Sequence, residues 1–401
     1  MSHRKKGAVI MRKNVVFRRP VGGVNMKKAI VYILLISSLT VLCACGTKEP
    51  KEKSSYDYNK DLLYSGIMAW TPEGIYYRDG DFLRLVSHDG KRVDLCSKPE
   101  CNHQNTDCEA YLDADQIFYF NNRLCYSKTD DSMFKVDFYQ MNWKGQERYK
   151  FASVDFSKDF EKEQQMTDFN SSISWKITGK DYLQAYEHGD NLSYKEKVYW
   201  TNLNHPENVK ELKIEANKNG TLWKIEGDWI LFISLNEDRT FQIWGYNNKT
   251  DEQRVLVSRS SNKDDNYGAI GIKLIGDELY WHEKGFGFYR KNIKTDIGSD
   301  RKTLVFPIEE NALNGYGVIV KDYMIICNMF EGDKGIFFYS YDGKLLQSIP
   351  VKNKNYQYAM ETEDKVFFVD VSSGSITPAA YVDKAKINEG KAKIVLIKDA
   401  R

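Results

Sequence analysis

The chain has 401 residues, with 58 Lys and Arg against 56 Asp and Glu, and a formal net charge of +2. Nine of the basic residues and no acid fall in residues 1–44, so the remainder carries −7. A moderately acidic body without a basic block excludes a polyanion-binding surface, and neither nucleic acid nor anionic headgroups are expected partners.

Residues 26–46, "MKKAIVYILLISSLTVLCACG", open with two lysines, run through an apolar stretch and reach Cys45. That is the layout of a secretory signal, and the apolar run is short for a permanent spanning helix. Leu42-Cys43-Ala44-Cys45-Gly46 resembles the bacterial lipobox. The resemblance implies a signal peptide over 26–44 and a lipid on the sulfur of Cys45. Residues 1–25 are read as an upstream extension, with Met26 the true start. Residues 45–60 are polar and charged and are expected to form a flexible tether. Two acyl chains give stable anchoring, so the expected location is the outer face of a membrane, reached through the lipid alone.

From residue 61 to 401 one unit recurs. Its second-strand cores are "EGIYY" (73–77), "NRLCY" (122–126), "KDYLQAY" (180–186), "GDWILF" (227–232), "GDELYW" (276–281), "KDYMII" (321–326) and "EDKVFF" (363–368). A third-to-fourth hairpin follows each, and Asp89-Gly90 and Asp342-Gly343 read as two-residue turns with both positions at positive φ. Period-two alternation, 54 aromatics and eight prolines fit antiparallel strands. Seven four-stranded units predict an all-β β-propeller, with six or eight blades as neighbouring counts. Only residues 157–169 suggest a helical turn or two.

"DELYWHEKGFGFYRKNI" (277–293) is similar to the tyrosine-tryptophan-threonine-aspartate repeat of low-density-lipoprotein-receptor propellers, with Tyr280-Trp281 on a second strand. "VYWTN" (198–202) shares the wording but falls on a third strand. The lipobox, the cysteine-rich loop and the propeller together resemble surface lipoproteins of Gram-positive anaerobes with a TolB-like propeller. That resemblance implies no catalytic residues.

In a propeller, strand-1-to-2 and strand-3-to-4 turns share one face, while strand-2-to-3 turns and links between blades share the other. The long connections here are links: 97–116, 151–172, 258–269 and 305–316. Functional residues favour long loops on a rigid scaffold, so the inter-blade face is the expected binding surface. Enzymatic motifs are thin. "SHDGKR" (87–92) lacks the glycine and tryptophan of a sialidase box, and there is no Gly-x-Ser-x-Gly elbow. Asp130/Asp131 and Asp264/Asp265 are acid pairs of the kind a solvated surface carries, and "KDDNYG" (263–268) lacks the closing Glu of a calcium loop. Trp229, Trp244 and Trp281 are expected to pack between blades. The expected function is a binding scaffold for a peptide, glycan or protein. The alternative is a polysaccharide hydrolase or lyase using channel-mouth carboxylates.

"LCSKPECNHQNTDC" (95–108) holds three of seven cysteines and one of six histidines. Cys96, Cys101, His103 and Cys108 supply the Cys₃His set of a closed structural zinc site. A disulfide, Cys101–Cys108 or Cys96–Cys108, is the other reading for an exported chain, and leaves His103 without a role. Pro99 and Asn102 favour a loop that folds back on itself. Cys125 and Cys327, in second strands, are expected to be buried thiols.

Overall fold

The computed structural model describes residues 57–399, apart from 133, 158–172, 191–192, 215–219, 236–239, 261–268, 284–286, 297–302, 307, 309–314, 329–333 and 375. Residues 1–56, with the signal segment and Cys45, lie outside the described residues, as do Asp264, Asp265 and 158–169. The rest is an all-β propeller of seven four-stranded antiparallel blades, over 68–93, 116–155, 173–212, 220–260, 269–306, 316–350 and 356–396. Within each blade the strands follow chain order from the inner strand outward.

Seven apolar clusters bind this ring, and each spans two neighbouring blades. Ala69 and Tyr76 of blade 1 meet Ile117 and Leu124 of blade 2, and Phe138 of blade 2 meets Tyr182 of blade 3. The series runs on to Ile325 and Phe338 of blade 6 against Tyr358 and Phe368 of blade 7. Met68 and Tyr77 of blade 1 then pack on Met360 and Phe367 of blade 7, which closes the ring. Side chains on a strand alternate between faces, so Met324 and Ile326 serve one interface while Ile325 and Cys327 serve the next. With both faces buried, second strands read as continuous apolar runs such as Met324–Cys327 and Val366–Val369. A short terminal strand, Lys398–Asp399, adds parallel to Lys91–Val93 at the outer edge of blade 1 and covers part of that edge.

The aspartate-glycine turns differ from the expectation. Gly90 (φ 80) and Gly343 (φ 90) have positive φ, while Asp89 and Asp342 do not. Gly90 N donates to Ser87 O and Gly343 N to Ser340 O, each 2.9 Å. This is a type I turn closed by a left-handed glycine, and the aspartate carboxylates accept from the Ser87 and Ser340 hydroxyls. One short helix, Lys384–Asn388, lies in the last third-to-fourth connection, where the sequence suggested only a hairpin.

Trp244 and Trp281 are fully buried, stacked on Phe232 and Tyr289. Trp229 is half-buried beneath the Arg254 guanidinium. Cys125 and Cys327 are buried as expected, and burial pushes both thiols up to about 12. Iodoacetamide at pH 8 should therefore leave both unmodified in the native chain and modify both in urea. Rapid native alkylation of either would show its strand misplaced.

Candidate metal centre and central channel

The link from blade 1 to blade 2 carries the cysteine cluster. Its far end is tied to blade 1, where Leu83 N donates to Ala110 O and Leu112 N to Asp81 O. The Arg148 guanidinium of blade 2 donates to the carbonyls of Glu109 and Tyr111. Leu95 joins the apolar cluster between the two blades. Inside the loop, the Glu109 carboxylate accepts from Ser97 N and Oγ at 2.8 and 2.7 Å, and Lys98 Nζ donates to Asp107 O. Asn102 Oδ1 accepts from Gln104 N, the fold-back anticipated for that residue.

These ties bring Cys96, Cys101, His103 and Cys108 together, one ligand atom from each, all within 4.8 Å of one another. The spread exceeds the roughly 4 Å of a loaded tetrahedral site, and sub-ångström side-chain movements close it. All five described cysteines are free thiols, so no sulfur–sulfur bond competes for these atoms among the described residues. His103 Nδ1 lies 3.4 Å from Cys108 Sγ, and His103 itself takes the left-handed conformation, φ 55. Each sulfur also accepts from the backbone N–H two residues on: Cys96 from Lys98, Cys101 from His103 at 3.4 Å, Cys108 from Ala110. Such bonds orient thiolates and disperse their charge, as supporting groups around a metal do. Burial raises the Cys96 thiol, but the N–H groups of Lys98 and Glu109, together with hydrogen bonds from the Cys101 and Cys108 thiols, hold it below its ordinary value. Burial pushes Cys108 up to about 11, and its hydrogen bonds with the neighbouring thiols add to the rise. Three thiols and an imidazole fit a structural zinc ion, with no position left open for substrate.

The second feature was not anticipated. Residues 57–66, partly assigned to the tether by composition, run through the central channel. Asp57–Asp61 begin at the strand-1-to-2 turn end, where Tyr58–Asp61 form a 3₁₀ turn capped by the Asp57 carboxylate. Asn59 pairs with the backbone of Trp70, Leu63 N donates to Ala359 O at 3.1 Å, and the Tyr64 hydroxyl donates to Gln357. Gly66 then bridges to Ile117 at the inter-blade end. Polar composition suggested a tether, but these residues satisfy their polar groups on the inner strands of the ring.

Asp61 is the centre of this contact. Its side chain is wholly buried and pairs with Lys273 Nζ at 2.5 Å and Lys224 Nζ at 3.3 Å, while Lys224 also reaches Glu226 at 2.6 Å. A second set lies at the turn end: Lys384 meets Glu361 at 2.5 Å and Asp322 at 2.8 Å, and Glu361 accepts from Lys321 N. Burial raises the Glu361 carboxyl to about 7, against the opposing Lys384 charge. The ammonium groups of Lys321 and Lys384 lie 5.3 and 5.4 Å from the Tyr58 ring centre. The signal for this site was present in the sequence. Trp175-Lys176-Ile177, Trp223-Lys224-Ile225 and Ile272-Lys273-Leu274 repeat an apolar-lysine-apolar triplet on three consecutive inner strands. Of the acid pairs read from sequence, Asp130 accepts from Ser132 and from Lys135 N in a turn, and Asp131 is exposed.

No protein-family model matches the chain, and no curated protein matches it. Solved structures do resemble it. One comes from a structural and mechanistic analysis of two prolyl endopeptidases: 13% identity, TM-score 0.51, 92% of this chain and 54% of that one. Another is a puromycin hydrolase, with 11% identity, TM-score 0.51, 86% of this chain and 55% of that one. A puromycin-hydrolyzing peptidase of Mycobacterium tuberculosis gives 11% identity, TM-score 0.50, 87% of this chain and 55% of that one. At such identities the likeness is one of fold alone, and this chain spans about half the length of each.

Proposed function

We propose that this chain is a lipid-anchored binding scaffold on the outer face of a membrane. Cys45 carries the lipid, the residues after it form the tether, and the inter-blade face of the TolB-like ring holds a peptide, glycan or protein partner. The cysteine loop, closed by zinc, staples blade 1 to blade 2. One observation carries this reading: the chain's own residues 57–66 run through the channel, and the channel acids Asp61, Glu226 and Glu361 are each paired with a lysine. A glycosidase needs two carboxylates free to act on a substrate between them, and this arrangement gives that alternative no support.

Cys45→Ser tests the anchor. Incorporation of a fatty-acid analogue should be lost, and the protein should move from the membrane fraction to the medium. Labelling that persists through Cys43 would overturn the assignment. Release of reducing ends from cell-wall polysaccharide by the purified chain would restore the enzyme.

A further inference from the structure

A cavity of about 130 Å³ lies in the channel beside residues 59–65. Its walls are mostly apolar and include Ile177, Trp223, Ile225, Ile272 and Val318. Lys176 and Lys224 line it as well. Lys176, Lys224 and Lys273 occupy the same register on three consecutive inner strands, opposite Leu183, Leu231 and Tyr280 of their second strands. Two of the three have acids: Lys273 pairs with Asp61, and Lys224 with Asp61 and Glu226. The Lys176 side chain is half-buried and, among the described residues, makes no ion pair or hydrogen bond. Burial and the nearby Lys224 charge hold its ammonium below the ordinary lysine value. Lys60, also on the cavity wall, has Asp181 as its acidic neighbour. The three matched lysines therefore face two carboxylates, which leaves one positive charge on an apolar-walled space.

We infer that the central channel holds a binding site for a small monocarboxylate, with Lys176 as its cation and Trp223 and Ile225 among its apolar walls. An unpaired ammonium in such surroundings is costly, and one negative charge relieves it. A dianion such as phosphate would bring a second charge with no cation left to meet it. A halide would leave most of the apolar volume unfilled. The cavity has room for about four waters' share of liquid, the scale of a short-chain acid. Asp61 already shows the chemistry, as a carboxylate held by the neighbouring two lysines of the set. This inference does not depend on membrane anchoring.

Propionate is the probe, titrated calorimetrically into the purified full chain at constant ionic strength, with sodium chloride and sulfate as comparisons. Propionate should bind and raise the melting temperature beyond either salt. Lys176→Met should weaken binding about tenfold or more, the size of one charge-assisted hydrogen bond, while Lys180→Met on the exposed turn leaves it unchanged. Saturation-transfer NMR on the unaltered chain reads the same site without a variant, and the propionate methyl should receive magnetisation from the protein. No transfer, unchanged binding in Lys176→Met, or a stronger response to sulfate than to propionate would each overturn the assignment.

Discussion

Asp61→Asn is expected to destabilise the propeller by about 3–5 kcal/mol, the cost of leaving a buried ion pair without one partner. Asp61 holds Lys273 at 2.5 Å and Lys224 at 3.3 Å, and its side chain has no exposed surface. Asparagine keeps the shape and removes the charge. Lys224 retains Glu226, but Lys273, buried at the same register, loses the carboxylate 2.5 Å from its ammonium. The loss reaches beyond one pair, because Asp61 belongs to a segment that touches inner strands around the ring. The Tyr358 hydroxyl donates to Asp61 O at 3.0 Å, and Leu63 pairs with Ala359. Urea unfolding should show a lower midpoint with an unchanged slope. The second variant in the cycle is Lys273→Met, which removes the other charge and fills much of the same volume. Asp61→Asn with Lys273→Met should recover part of the loss, since an apolar replacement of a whole pair is often neutral. A midpoint within experimental error of wild type for Asp61→Asn alone would show that the segment is not held by charge.

The fold was legible from sequence because blades repeat a register. Each second strand follows a tight turn, and its two faces meet two different neighbours, so "DYMIIC" and "DKVFFVD" stand out as apolar runs. The cysteine loop was legible for another reason: thiols and imidazole are rare in this chain, and fourteen residues hold four of them. The channel segment was hidden. Its residues 57–61, Asp-Tyr-Asn-Lys-Asp, have the composition of a solvated tether, and nothing local reveals that Asp61 meets Lys273 more than two hundred residues away. The lysine triplets did carry a signal, but a lysine in a strand is ordinarily read as its exposed face. An inner strand of a closed ring has no such face, so the ring must be recognised before its lysines can be placed. The aspartate-glycine turns were misread at one residue because the dipeptide fits two hairpin loops, and only glycine's φ separates them.

The metal centre gives the other large expected effect. The purified chain should hold one zinc per molecule, and cobalt substitution should give the thiolate charge-transfer band of a cysteine-rich tetrahedral site. Thiolates must be formed for binding, so the metal should be released on acidification as well as by chelators. What removal does follows from where the loop is tied. Apparent zinc affinities in small domains reach about 10–16 kcal/mol and decide whether those domains fold. Here the seven interfaces close the ring without the loop, and hydrogen bonds at Leu83 and Arg148 hold the loop's far end. Chelation should therefore free residues 96–108 while the strands remain. The glutamate-specific endopeptidase Glu-C should cut after Glu100 within the stapled stretch, and the propeller should still unfold cooperatively. Cys101→Ser should reproduce both effects in the presence of zinc, because it removes a ligand and also the sulfur that accepts from His103 N. Cys125→Ser, in the core of blade 2, should change stability and leave the zinc content at one. A chain that carries no stoichiometric metal, with the mass of an oxidised cysteine pair among 96, 101 and 108, would replace the zinc staple by a disulfide and leave His103 without a ligand role.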